Sequence, residues 1–197
     1  MPENHFDITG ESLLTLFKRI NEVKNLPRAG WVERGIPNPE NVGDHSFGTA
    51  LIAVLMSEAL GMNTGQVAIT ALIHDLAESV LGDVTPADGM NTNDKSASEE
   101  AATREILQGV DPSGQLIELW LDFEHGRTEE GRLVKDVDRL EMALQATVYE
   151  SEYDRCLQDF FPYVKDRLTL PLSKSIFDQL ISIRAKNGSP PENAHLR

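Results

Sequence analysis

Residues 71–86 read ALIHDLAESVLGDVTP, and the character of the whole chain is set by this stretch. Its apolar residues recur at helical spacing and predict a helix from near Thr64 to about Val80. His74 and Asp75 interrupt the apolar run. An ionised carboxylate among apolar neighbours is costly to bury unless it is paired or bound to a cation. Glu78 lies four residues after His74 and three after Asp75, so a helix brings all three to one face. Gly82 and Asp83 then open a polar loop over 82–93.

Two other segments repeat the pattern of a metal-type donor within an apolar helix. Residues 40–53, ENVGDHSFGTALIA, carry His45, and residues 133–150, LVKDVDRLEMALQATVYE, carry Asp138. Two imidazoles and two carboxylates form a nitrogen and oxygen set. It suits one divalent ion such as Mn, Co, Mg, Fe or Ni better than a structural zinc, which favours thiolates. Four protein donors leave positions open for water and a substrate oxygen, as hydrolysis requires. Taken singly, each element has a plainer reading. A lone histidine on an apolar helix is usually a hydrogen-bonded core residue, and an Asp136–Asp138 pair is usually a solvated face. Trp120, Phe123 and the methionines read as core.

Working outward, the periodicity stays helical throughout. Leu13, Leu14, Phe17, Ile20 and Val23 predict a first helix with Ser12 as its cap, ending near Pro27. Residues 27–43, with three prolines and three glycines, read as a long ordered loop. Asp44 is the expected cap of a helix over 45–60 closed by Gly61, and Asp94 of a helix over 95–108. A turn at 111–114 leads to a helix around 117–123, which Gly126 breaks. Further helices are expected over 128–153, 156–167 and 173–186, with a polar, frayed tail at 187–197. No alternation of period two persists, so no sheet is expected. The prediction is a single all-α domain, a compact bundle of about seven to nine helices with its core over 11–186.

The chain has 197 residues, a formal net charge of −14 and 40% apolar residues. So acidic a surface disfavours nucleic-acid backbones and anionic membranes. It leaves room for a small phosphorylated substrate, because a bound cation and one arginine reverse the field locally. The lone Cys156 reads as a small core residue of a chain kept in a reducing compartment. Residues 1–10 lack the pattern of a signal peptide, and the longest apolar stretch, 50–56, is too short to span a bilayer. A cytoplasmic location is the expectation.

In order and in flanking residues, the segments at His45, at His74 and Asp75, and at Asp138 resemble the HD-domain superfamily, specifically its 5'-deoxynucleotidase branch. The resemblance extends from about Glu11 to about Glu152. It implies a metal-dependent phosphoric monoester hydrolase acting on nucleoside 5'-monophosphates, and a homodimer. It implies a water-orienting Glu78 and an Asp83 that assists the ester oxygen. The family's adjacent Arg-Trp pair is replaced here by Arg28, Ala29, Gly30 and Trp31. Arg28, with Arg34 as competitor, is the expected phosphate contact, and Trp31 is expected to wall off the sugar. Glu124 is a further candidate substrate contact. Of five histidines, His5 and His195 fall in the ends, and only His125 lies between the His-Asp pair and Asp138. One metal is therefore expected, not two. Rival readings are hydrolysis of nucleoside triphosphates or cyclic nucleotides, and a non-enzymatic, metal-stabilised module that binds a protein partner.

Overall fold

The computed structural model describes residues 8–85, 89–153 and 155–186. His5, His195 and the tail at 187–197 lie outside them. The described chain is all-α: α1 (Gly10–Val23), α2 (Ala29–Glu33), α3 (Val42–Leu60), α4 (Thr64–Ile73), α5 (Glu78–Leu81), α6 (Thr92–Leu107), α7 (Gln115–His125), α8 (Glu129–Tyr153), α9 (Phe160–Lys165) and α10 (Pro171–Lys186). Among the described residues there is no strand, only an isolated bridge between Pro27 and Asn41.

The packing centres on α8. Leu133, Val134, Val137, Leu140, Ala143 and Ala146 form its buried stripe. Helix α3 packs on both α4 and α8, with Ala50 and Ala53 at the close approach, and α9 and α10 close the other side with Phe160, Phe161 and Phe177. A second apolar cluster joins the turn after α4 to α6 and α7 through Leu76, Ile106, Leu107, Trp120 and Leu121. Cys156 is buried and unpaired.

Three helix starts differ from expectation in the same way. The N-caps are Thr9, Asn41 and Asn91; the expected caps Ser12, Asp44 and Asp94 sit three residues further on. Each of those three belongs to a cap through its side chain or amide. The Thr9 and Asn41 amides donate to Ser12 Oγ and Asp44 Oδ2, each at 3.0 Å, and the Asp94 amide donates to Asn91 Oδ1 at 2.9 Å. Two polar residues three apart share the work of capping, and the spacing alone does not say which is first. The expected loop over 27–43 also contains the short helix α2. The helix expected over 156–167 is confined to α9, Phe160–Lys165.

The helix expected from Thr64 to Val80 breaks after Ile73. Tighter turns follow, with Leu76 N–H donating to Ile73 O and Glu78 N–H to Asp75 O, both at 3.1 Å. The His74 carbonyl instead accepts the indole N–H of Trp120 at 3.0 Å. Trp120 thus fills the core and also satisfies the backbone at the break, which falls at the His-Asp pair.

The stripe on α1 behaves differently. Leu13, Leu14 and Phe17 are each more than half exposed, and Val23 alone of that row is buried. Phe47, Leu51 and Leu55, one row along α3, are exposed as well.

Candidate metal centre

Two helices and one turn deliver the expected donors to one point. His45 stands in the first turns of α3, His74 and Asp75 at the break after α4, and Asp138 midway along α8. His45 Nε2 lies 3.2 Å from Asp138 Oδ1 and 3.7 Å from Asp75 Oδ2; His74 Nε2 lies 3.1 Å from Asp75 Oδ2. Donor atoms of His45, His74 and Asp138 fall within 4.8 Å of one another.

The far side of each imidazole fixes what the near side offers. His74 Nδ1 is 2.8 Å from the Ala71 carbonyl, which only accepts, so Nδ1 carries the proton. His45 Nδ1 is 2.6 Å from Glu141 Oε2 and donates to that carboxylate. Both Nε2 atoms are then lone pairs, buried and without a hydrogen-bond donor, facing carboxylate oxygens. Two acceptors at about hydrogen-bond distance repel unless a positive charge lies between them. A divalent cation or a proton fits there. For His45, burial and the Arg28 charge oppose protonation, yet Asp138 and Glu141 outweigh them and raise the ring to about 9. Burial likewise opposes ionisation of Asp75, but His74, His45 and Arg28 hold it well below the usual carboxylate range. The arrangement is one that attracts cations.

Around this centre lie the other expected residues. Glu78 is buried, and its Oε2 has no hydrogen-bond partner. Burial first, then the charges of Asp75 and Asp83, push its carboxyl well above the ordinary value. Arg28 Nη1 is 3.2 Å from Asp75 Oδ2. Arg34, its competitor, is turned away: it pairs with Asp159 and stacks on Phe160. Asp83 Oδ2 accepts the Ala29 amide at 2.6 Å, which fastens the segment after α5 to the start of α2. Glu124 pairs with Lys135 at 3.2 Å. Asp136 and Asp138 divide their roles. Asp136 is fully buried and accepts the Thr169 and Leu170 amides ahead of α10, whereas Asp138 faces the histidines.

Trp31 departs from expectation. It is 1% exposed, stacks on Phe160 with centroids 4.4 Å apart, and meets Tyr149 edge-on. A ring enclosed in this way has no face left for a sugar, so the expected sugar wall is corrected to a core residue. Its indole N–H donates to Glu40 Oε1 at 2.8 Å. Glu40 and Glu141 gather with His45 in a second acid–imidazole group on the Nδ1 side. The sequence reading passed over both glutamates. Glu141 carried a usable signal: it interrupts the apolar stripe of α8 as Asp138 does, one turn later. Gly48 leaves it room, since a Cβ there would lie 3.0 Å from Glu141 Oε1.

A buried pair of imidazoles and two aspartates, on separate helices of an all-α bundle, defines the class. Residues 20–173 match the HD domain, and the chain belongs to that family. Among curated proteins it is similar to 5'-deoxynucleotidase HDDC2 of Xenopus laevis, 34% identical over 186 residues, covering 90% of this chain and 92% of that protein. It is also similar to 5'-deoxynucleotidase HDDC2 of Homo sapiens, 33% identical over 180 residues, covering 89% of this chain and 88% of that one. A solved structure of a conserved hypothetical protein from Pyrococcus furiosus superimposes with a TM-score of 0.72 at 29% identity, covering 87% of this chain and 99% of that one.

Proposed function

We propose that the chain is a divalent-metal-dependent 5'-deoxynucleotidase that converts deoxynucleoside 5'-monophosphates to nucleoside and phosphate. The observation that carries this reading is the pair of buried Nε2 lone pairs facing Asp75 and Asp138, with the unpartnered Glu78 beside them. The metal would be held by His45, His74, Asp75 and Asp138. A divalent cation supplies, when bound, a Lewis acid for a phosphate oxygen and a lowered pKa for water. A single ion of Mn, Co, Mg, Fe or Ni suits these donors.

The remaining steps belong to side chains. Glu78 orients the attacking water and accepts its proton; its buried position keeps that carboxyl basic enough to do so. Arg28 receives the phosphate through the part of its fork that Asp75 does not hold. The water oxygen attacks phosphorus, the bond from phosphorus to the 5'-oxygen breaks, and the proton passes to that oxygen near Asp83. Glu124 remains a candidate contact to the nucleoside. With Trp31 enclosed, the deoxy preference rests on the relatives' names.

A homodimer and a cytoplasmic location complete the reading. The exposed row Phe47, Leu51 and Leu55 on α3, and the exposed Leu13, Leu14 and Phe17 on α1, support a second copy as cover. Among the described residues no helix is long and apolar enough to cross a membrane. The free, buried Cys156 is consistent with a reducing compartment. The test is a phosphate-release screen across nucleotides, using metal-stripped protein re-supplied with each divalent ion. Release from 5'-monophosphates, faster for deoxy than ribo forms, is expected. Release only from triphosphates or cyclic nucleotides overturns the reading.

A further inference from the structure

The segment that carries Asp83 is tied at two successive residues to two different elements. It leaves α5 at Gly82, whose φ of 80° a side chain would resist. Asp83 Oδ2 then takes the Ala29 amide, and the next carbonyl, Val84 O, accepts from Lys95 Nζ at 3.0 Å. Lys95 stands near the start of α6. Its plainer reading is a helix-surface pair with Glu99, four residues on, but that contact is longer, at 3.5 Å. A partly exposed pair of this kind contributes little to stability. Burial works against the ammonium, yet the charges of Glu99 first, then Glu78, Asp75 and Asp83, raise its pKa.

Charge completes the argument. At full ionisation four carboxylates, Asp75, Glu78, Asp83 and Asp138, surround Arg28, and a single bound divalent cation would leave them one negative charge in excess. A phosphate dianion then meets a net negative site, and Lys95 brings it to neutrality. We propose that Lys95 is a positioning residue of this site: it holds the Asp83 segment through Val84 and supplies, besides Arg28, a second fixed cation for the phosphate group. The substrate part of this assignment rests on the phosphomonoester reading above.

The test uses the metal-loaded full chain with Lys95→Met and Lys95→Arg. Inorganic phosphate binding is measured by calorimetry, kcat and KM on a deoxynucleoside 5'-monophosphate, with metal content and melting temperature alongside. Lys95→Met is expected to weaken phosphate binding, raise KM by about tenfold and lower kcat, with metal content and melting temperature unchanged. Lys95→Arg is expected to recover phosphate binding but not kcat, since charge returns without the Val84 contact. Phosphate binding and KM within about twofold of the parent in Lys95→Met, as a surface pair would give, overturn the proposal. So does metal loss in that variant, or a parent that binds no phosphate. A parent that binds phosphate but cleaves no 5'-monophosphate defeats the nucleotidase reading instead, and Lys95→Met still decides Lys95 by phosphate binding.

Discussion

The two sides of the His45 and His74 rings are built on opposite principles. Behind them, polar atoms are matched to partners and surrounded by aromatic rings. His45 Nδ1 meets Glu141, His74 Nδ1 meets Ala71 O, Trp31 meets Glu40, and the Glu40 amide donates to Tyr149 Oη at 2.7 Å. In front, carboxylates outnumber cations, and His45 Nε2, His74 Nε2 and Glu78 Oε2 are buried without partners. Satisfied buried networks rigidify; unsatisfied ones cost stability and persist where something else is to bind. The back holds the rings in one tautomer and orientation, and the front is the side on which the proposed cation and substrate would bind.

The sharpest way to break this comparison is to remove a front donor. His74→Ala and Asp75→Ala are each expected to lose the metal and all activity. Elemental analysis showing full occupancy in either variant would remove these residues from the metal site. Next in size is Glu78→Gln, which keeps the shape and removes the acceptor. Turnover is expected to fall by roughly a hundredfold or more, with metal content unchanged. Single-turnover rates equal to the parent's would leave Glu78 without a chemical role and favour the non-enzymatic reading.

Behind the rings the effects are smaller and of another kind. Glu141→Gln weakens the grip on His45 and is expected to lower metal affinity by about ten- to a hundredfold. A chelator-competition titration reads this directly, and an unchanged affinity would show that the back does not support the donor. The least effect is expected of Trp31→Phe, which keeps most of the ring and leaves Glu40 Oε1 without its donor. Thermal unfolding should show a loss of about 1–2 kcal/mol, while the ratio of deoxy to ribo hydrolysis stays fixed. A changed ratio would place Trp31 against the sugar after all and collapse the distinction between the sides.

Much of this was legible in particular residues. His45, His74, Asp75 and Asp138 announced themselves because a histidine or carboxylate in an apolar helical run demands a partner. Gly61 and Gly126 marked helix ends, and both adopt the left-handed conformation there. Misplaced caps at Ser12, Asp44 and Asp94 reflect a reciprocal motif whose two members look alike in one dimension. Trp31 was misassigned because a tryptophan in a Pro- and Gly-rich loop looks available, and only the packing of Phe160 and Tyr149 around it shows otherwise.

The sequence by itself determined the helical class, the four candidate donors and the acidic setting, since each follows from residue type and local spacing. Tertiary structure alone decided which side of each imidazole faces inward, because that depends on the partners Glu141 and Ala71 O presented to Nδ1. It also separated Arg28 from Arg34 and brought Lys95 to the carbonyl after Asp83. These pairings join residues far apart in the chain, and no local periodicity encodes a contact made only when separate helices pack.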